Sequence, residues 1–166
     1  MNLNFFLLRY PLLRTYVQLF FLCGFVTPAI AQKEFNSVPI STGPPISNSE
    51  STAVKKLVYE LQPAIYMLDG GLKYFGSEPV VLFCDVPTLN NQKEMVANAT
   101  SVQLVQIKVR NLKELNKIDL SVLAHYPNVR FIQILSEIEV SSEAIKKALK
   151  HELPSWRIFY TISKLS

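Results

Sequence analysis

The sequence predicts an α/β fold: a short repeat of βα units that makes a parallel sheet, with helices mainly on one face. Three observations carry this expectation. Apolar runs with strand composition at residues 102–107, 129–134 and 156–161 begin 27 residues apart. The last two also keep a proline and an arginine in register, Pro127 with Arg130 and Pro154 with Arg157. A helix-like segment precedes each run, and strands joined through helices return in the same direction. A fixed period of this size is the mark of one repeated supersecondary unit. The alternative arrangement of the same elements is a compact open α/β sheet.

The 166 residues are 49% hydrophobic and 18% charged, which excludes disorder for most of the chain. Arg9 and Arg14 are the only charges in residues 1–31. An apolar run at 17–26 follows them, then Ala29-Ile30-Ala31 before Gln32. Basic region, apolar run and small-residue site predict a signal peptide over residues 1–31, cleaved after Ala31. The mature chain is then expected to be secreted or periplasmic, without stable membrane insertion. The alternative is an uncleaved N-terminal membrane anchor, although the run is short for a bilayer span of roughly 20 residues. Cys23 does not suit a lipoprotein site, because Leu22 before it is too bulky.

Of 17 basic residues, 15 remain once Arg9 and Arg14 are removed, against 13 acidic ones. No basic stripe for nucleic acid survives in so balanced a chain. Cys84 is the one cysteine left, so no internal disulfide can form.

Taken in order, residues 32–52 read as a disordered linker rich in serine, proline and asparagine, the alternative being an extended arm packed on the fold. Residues 53–166 form the α/β domain. Ser51 or Thr52 is the expected N-cap of a helix with Val54, Leu57, Val58 and Leu61 on its apolar face, ended by Pro63. Residues 64–75, interrupted by Asp69-Gly70-Gly71, read equally as a hairpin or as two helical turns. The helix ending at Gly70 is favoured, since glycine commonly follows a helix C-terminus.

Residues 79–84 are a continuous apolar strand, followed by a helix-like stretch at 91–99 and the strand from Val102. Residues 111–117 are a polar connection, and Asp119 caps a helix running to Tyr126. After the strand at 129–135, Ser141 or Ser142 opens a helix over 143–152 with Ile145, Ala148 and Leu149 as its stripe. The final strand spans 156–162.

Residues 129–134 and 102–107 fit the L-x-x-L-x-L core of the leucine-rich repeat, as Val129, Ile132, Ile134 and Val102, Val105, Ile107. Val81, Cys84 and Val86 fit it more loosely, and residues 118–129 resemble the descending helix and its approach to the next strand. The chain therefore resembles a short leucine-rich-repeat array over residues 79–162. It departs from that pattern where the family has asparagine, with Arg110 and Glu137 there, and at Thr161 in place of an aliphatic.

No catalytic motif is present. Cys84 lies mid-strand, as a buried inert thiol would, and His125 and His151 stand near helix ends that favour a cationic imidazole. No spacing of His, Cys or Asp suits zinc, and no cofactor is expected. Asn98-Ala99-Thr100 is a formal glycosylation sequon. Asp85, Lys108 and Glu137 fall near strand C-termini, where ligands of open α/β sheets collect.

The strand phase gives the functional expectation. Val105, Ile107, Ile132, Ile134 and Phe159 should face the helices, opposite Leu57, Leu123 and Leu149. The other face then carries Leu104, Gln106, Lys108, Phe131, Gln133, Ile158 and Tyr160, by the 27-residue step. Left open, this mixed apolar and polar ladder is a candidate protein-binding face. Residues 64–75 or a second copy of the chain would otherwise cover it.

The last strand, with no later element beside it, offers an edge for a homodimer. The expected function is an exported, non-enzymatic binding or scaffold module with a protein partner. The alternatives are a secreted hydrolase-type enzyme with an unrecognised site and a membrane-attached accessory protein.

Overall fold

A computed structural model describes residues 38–39, 47–69, 71–93 and 96–163 of the chain. The predicted signal peptide, its cleavage site and most of the predicted linker lie outside these residues. In chain order the elements are strand β1 (Val38–Pro39), helix α1 (Asn48–Tyr59), strands β2 (Ala64–Leu68), β3 (Gly71–Phe75) and β4 (Val81–Asp85), and helix α2 (Val86–Asn91). Strand β5 (Leu104–Val109), helix α3 (Leu112–Leu115), a 3-10 turn at Ser121–His125, strand β6 (Phe131–Ser136), helix α4 (Ser142–Ala148) and strand β7 (Arg157–Ile162) follow.

One sheet holds all seven strands in the order β1-β7-β6-β5-β4-β2-β3. Strands β2, β4, β5, β6 and β7 run parallel, and β3 and β1 pair antiparallel at the two ends. The expected α/β class with a parallel sheet is therefore what the chain builds, as a compact open sheet with a helix on its second face.

Each helix begins where a side chain can answer a free backbone N–H. Ser47 caps α1, accepting from Glu50 N at 3.3 Å while Ser47 N donates to Glu50 Oε2 at 3.0 Å, so this helix opens before the expected Ser51 or Thr52. Asp85 caps α2 through Thr88 N at 2.9 Å, with Pro87 in the first turn. The helix expected at 91–99 is thus replaced by one at Val86–Asn91. Asn111 caps the short α3 inside the expected polar connection, and Ser141 caps α4, which ends at Ala148 rather than Glu152.

Residues 64–75 form a hairpin, not the favoured helix ending at Gly70. Ala64 pairs with Phe75 and Leu68 with Gly71, so the chain reverses between Leu68 and Gly71. Asp69 has φ of 52°, a left-handed conformation that suits a two-residue hairpin turn. β-Favouring residues on both sides outweigh the helix-ending signal of the glycines. Gly76 closes the far end with φ of 75°, and a Cβ there would sit 3.1 Å from Pro63 Cβ.

The sheet separates two apolar layers. Ile65, Leu82, Val105, Ile132 and Ile158 lie on the face packed against α2, α3, the 3-10 turn and α4, with Ile118, Leu123 and Ile145 opposite. On the other face Ala64, Val81, Leu104, Phe131 and Phe159 pack against Val54, Leu57 and Val58 of α1. Val105, Ile107, Ile132 and Ile134 have the expected phase, and Leu123 and Leu149 lie with them.

Phe159 and Leu57 do not: both belong to the α1 layer. The cause is register. Phe131 pairs with Arg157 and Ile132 with Ile158, a step of 26 residues rather than 27. A slip of one residue exchanges the faces of a whole strand. It sets Phe159 with Phe131 and Leu104 beneath α1, and turns Arg157 toward Glu50, whose Oε1 lies 4.0 Å from Arg157 Nε and 3.9 Å from Arg130.

Candidate functional site

The expected binding face is largely interior. Leu104 and Phe131 are fully buried in the α1 layer, and Gln106 and Gln133, in register with each other, are only 5% and 2% exposed. Gln106 Nε2 donates to Gln133 Oε1 at 2.6 Å, and Gln133 Nε2 donates to Thr161 Oγ1 at 3.0 Å. The amides thus satisfy each other instead of awaiting a ligand. Lys108 pairs with Glu137 at 2.7 Å. Ile158 and Tyr160 lie on the opposite face, with the helices, because of the 26-residue register. The ladder built on a 27-residue step therefore does not form as one surface.

At the C-terminal ends of the strands, Asp85 gathers a polar cluster. Its Oδ1 accepts from Thr88 N at 2.9 Å and its Oδ2 from Asp69 N at 3.0 Å. Arg110 lies 3.3 Å from Asp85 and donates to Asp69 Oδ1 at 2.9 Å. Burial alone would raise the Asp85 carboxyl, but the bonds from Thr88 and Asp69 and the charge of Arg110 outweigh it and hold the pKa below the usual range.

An open cleft here is lined by Asp69, Asp85, Thr88, Asn91, Gln92 and Arg110. Its one guanidinium is shared by two carboxylates, which leaves one negative charge over. The neighbouring Cys84 is buried, and burial together with the Asp85 charge pushes its thiol pKa far up, leaving it unreactive. The cluster ties the β2–β3 turn, α2 and the end of β5 together.

His151, with φ of 60°, places its Nδ1 2.8 Å from Asp119 Oδ1. Asp119 also accepts from Ser121 N at 2.8 Å, and that bond is the main cause that lowers its pKa, against burial and with help from His151. His151 thus answers a carboxylate across a loop rather than a helix end. His125 is the exposed last residue of the 3-10 turn. Among the described residues no three His, Cys, Asp or Glu side chains come together as metal ligands, and no helix is long and apolar enough to cross a membrane.

The surface that meets solvent with apolar groups is the hairpin. Every residue of β3 is exposed, with Leu72 at 50%, Tyr74 at 46% and Phe75 at 48%. Leu72 and Tyr74 share the helix-side face with Met67 and Ile65, their partners in β2. Lys73 shares the other face with Tyr66, whose ring stacks on Phe83 at 4.7 Å and 2°.

Tyr74 Oη donates to Ala97 O at 3.1 Å, which fixes the ring at the rim. Among the described residues β3 has β2 alone as a strand neighbour. The signal for this surface was the pair of β-like segments around Asp69-Gly70-Gly71, which the helix-ending reading of the glycines hid.

No family model, curated protein or solved structure matches the chain. The likeness to the leucine-rich repeat thus stays a resemblance of strand motifs.

Proposed function

We propose that this chain is an exported, non-enzymatic binding module that engages a protein partner through the β2–β3 end of its sheet. One observation supports this above the others. Of nine large apolar side chains exposed among the described residues, six belong to the end of α1 and the hairpin: Tyr59, Leu61, Tyr66, Leu72, Tyr74 and Phe75. Concentrated exposed apolar surface on a small domain marks an interaction site. The binding surface is then the end of the sheet and not its face, where Gln106 and Gln133 are occupied with each other.

Export rests on the N-terminal pattern of Arg9, Arg14, the apolar run at 17–26 and Ala29-Ile30-Ala31. The test is a photo-crosslinking side chain at position 72, with exposed position 146 on α4 as control. One extracellular protein should couple at 72 and not at 146. Coupling at neither position, or equally at both, would refute the reading.

A further inference from the structure

The hairpin carries one group that an apolar docking surface alone does not need. Lys73 is the middle residue of β3, between Leu72 and Tyr74 in sequence and opposite Tyr66 in register. Among the described residues no carboxylate forms an ion pair with it: Asp69 is taken by Arg110, and Glu137 by Lys108. An exposed cation at the centre of an otherwise apolar edge strand acts on what may pair there.

It acts first against a second copy. Two β3 strands related by a two-fold axis normal to the sheet keep their faces only in registers centred on a residue. Centring on Lys73 is the one such register that pairs all five residues of Gly71–Phe75, and it sets Lys73 directly against its copy. Like charges directly opposite oppose pairing. Centring on Leu72 or Tyr74 relieves that contact but keeps only three of the five pairs.

We infer that β3 takes an extended segment of a different protein, added as an eighth strand, with a carboxylate opposite Lys73 and an apolar residue on each side of it. The apolar neighbours of the carboxylate would lie on the face of Leu72 and Tyr74, where two half-exposed side chains receive them. The carboxylate would lie on the face of Lys73, whose side chain stands between it and Tyr66. This inference rests on the protein-binding reading above and names the chemistry of the partner.

The probes are two blocked peptides of alternating threonine and valine, identical except for a central glutamate or a central lysine. Backbone amide spectra of the full chain should show shifts at residues 72–75 with the glutamate peptide, bound about fivefold tighter than its lysine counterpart. Lys73→Glu should reverse that preference, and Lys73→Thr, which needs no charge reversal to fold, should abolish it.

Equal binding of the two peptides, or a preference unchanged in both variants, overturns the carboxylate inference while crosslinking at 72 upholds the surface. Unmoved β3 amides alongside crosslinking at 72 overturn strand addition. Concentration-dependent shifts of the same amides without peptide show that the occupant is a second copy, and also overturn it.

Discussion

Gln106 Nε2 and Gln133 Oε1 stand 2.6 Å apart on adjacent parallel strands, in the interior of the sheet's α1-side face. Each amide exists there because the other does. Gln133→Leu alone leaves the Gln106 amide unpaired and should cost about 1–3 kcal/mol. Adding Gln106→Leu removes the stranded group, so the double variant should be more stable than the single one. Urea unfolding of the three proteins decides this; a double variant weaker than Gln133→Leu would show that Gln106 is not left stranded in the single variant.

Asp85 is the second interior polar group with a determinate role. It caps α2, accepts from the hairpin turn and faces Arg110. Asp85→Ala should cost about 2–4 kcal/mol, combining a lost cap with lost charge-assisted hydrogen bonds. Amide exchange should accelerate at Asp69 and Thr88, whose N–H groups lose their acceptor. Protection unchanged at both would mean that the cluster is incidental.

The lowered pKa of Asp85 sets the direction of acid sensitivity. A carboxyl depressed by folding contributes stability that is fully present above its unfolded value, about 3.9, and is lost as pH falls through the folded value. The unfolding midpoint should therefore hold from about pH 7 to 5 and drop below about pH 4. Asp85→Asn keeps a capping oxygen but no charge, and its acid drop should be shallower than that of the natural chain. Parallel curves would assign the acid loss to other carboxylates.

Register in β7 is testable by size. Phe159→Ala should cost about 3–5 kcal/mol and Ile134→Ala about 2–5, from opposite faces of the sheet. Ile134 pairs with Tyr160, the residue after Phe159, but the two side chains fill separate layers, so the two losses should add. Tyr160→Ala should weaken packing on the helix-side face and leave the α1 layer intact, which fluorescence of a reporter on α1 can follow.

Export gives a fifth measurement. Protein recovered from its native source should begin at Gln32, as mass spectrometry of the N-terminal peptide reads it. An intact Met1 terminus in the membrane fraction would make the segment an anchor.

Much of the sheet was legible because strands β4 to β6 are long apolar runs between breakers, and the repeat of Leu104 on Phe131 matches their pairing. The last strand was legible as a strand but not in phase. Sequence aligns Arg130 with Arg157, whereas packing beneath α1 aligns Phe131 with Arg157. A period in residues counts the chain, while register answers to volume, and Phe159 has the larger claim on that layer.

The hairpin was weighed and passed over because two glycines end helices as readily as they turn strands. Burial of the two glutamines was illegible for another reason. It depends on α1, whose N-cap Ser47 lies inside the stretch that composition marks as linker.

One end of the sheet differs from the other. At the β7 side, Val38 and Pro39 pair with Tyr160 and Phe159, so the edge expected to serve a homodimer is already occupied at those residues. Pro39 has no N–H to offer a further strand. The two rims are therefore unlike, one lacking a donor at Pro39 and the other keeping the N–H of every β3 residue. Open-ended stacking requires that both rims accept a neighbour. Among the described residues β1 covers only Phe159 and Tyr160 of the six residues of β7, so a head-to-tail stack would have to set β3 against a rim that Pro39 interrupts.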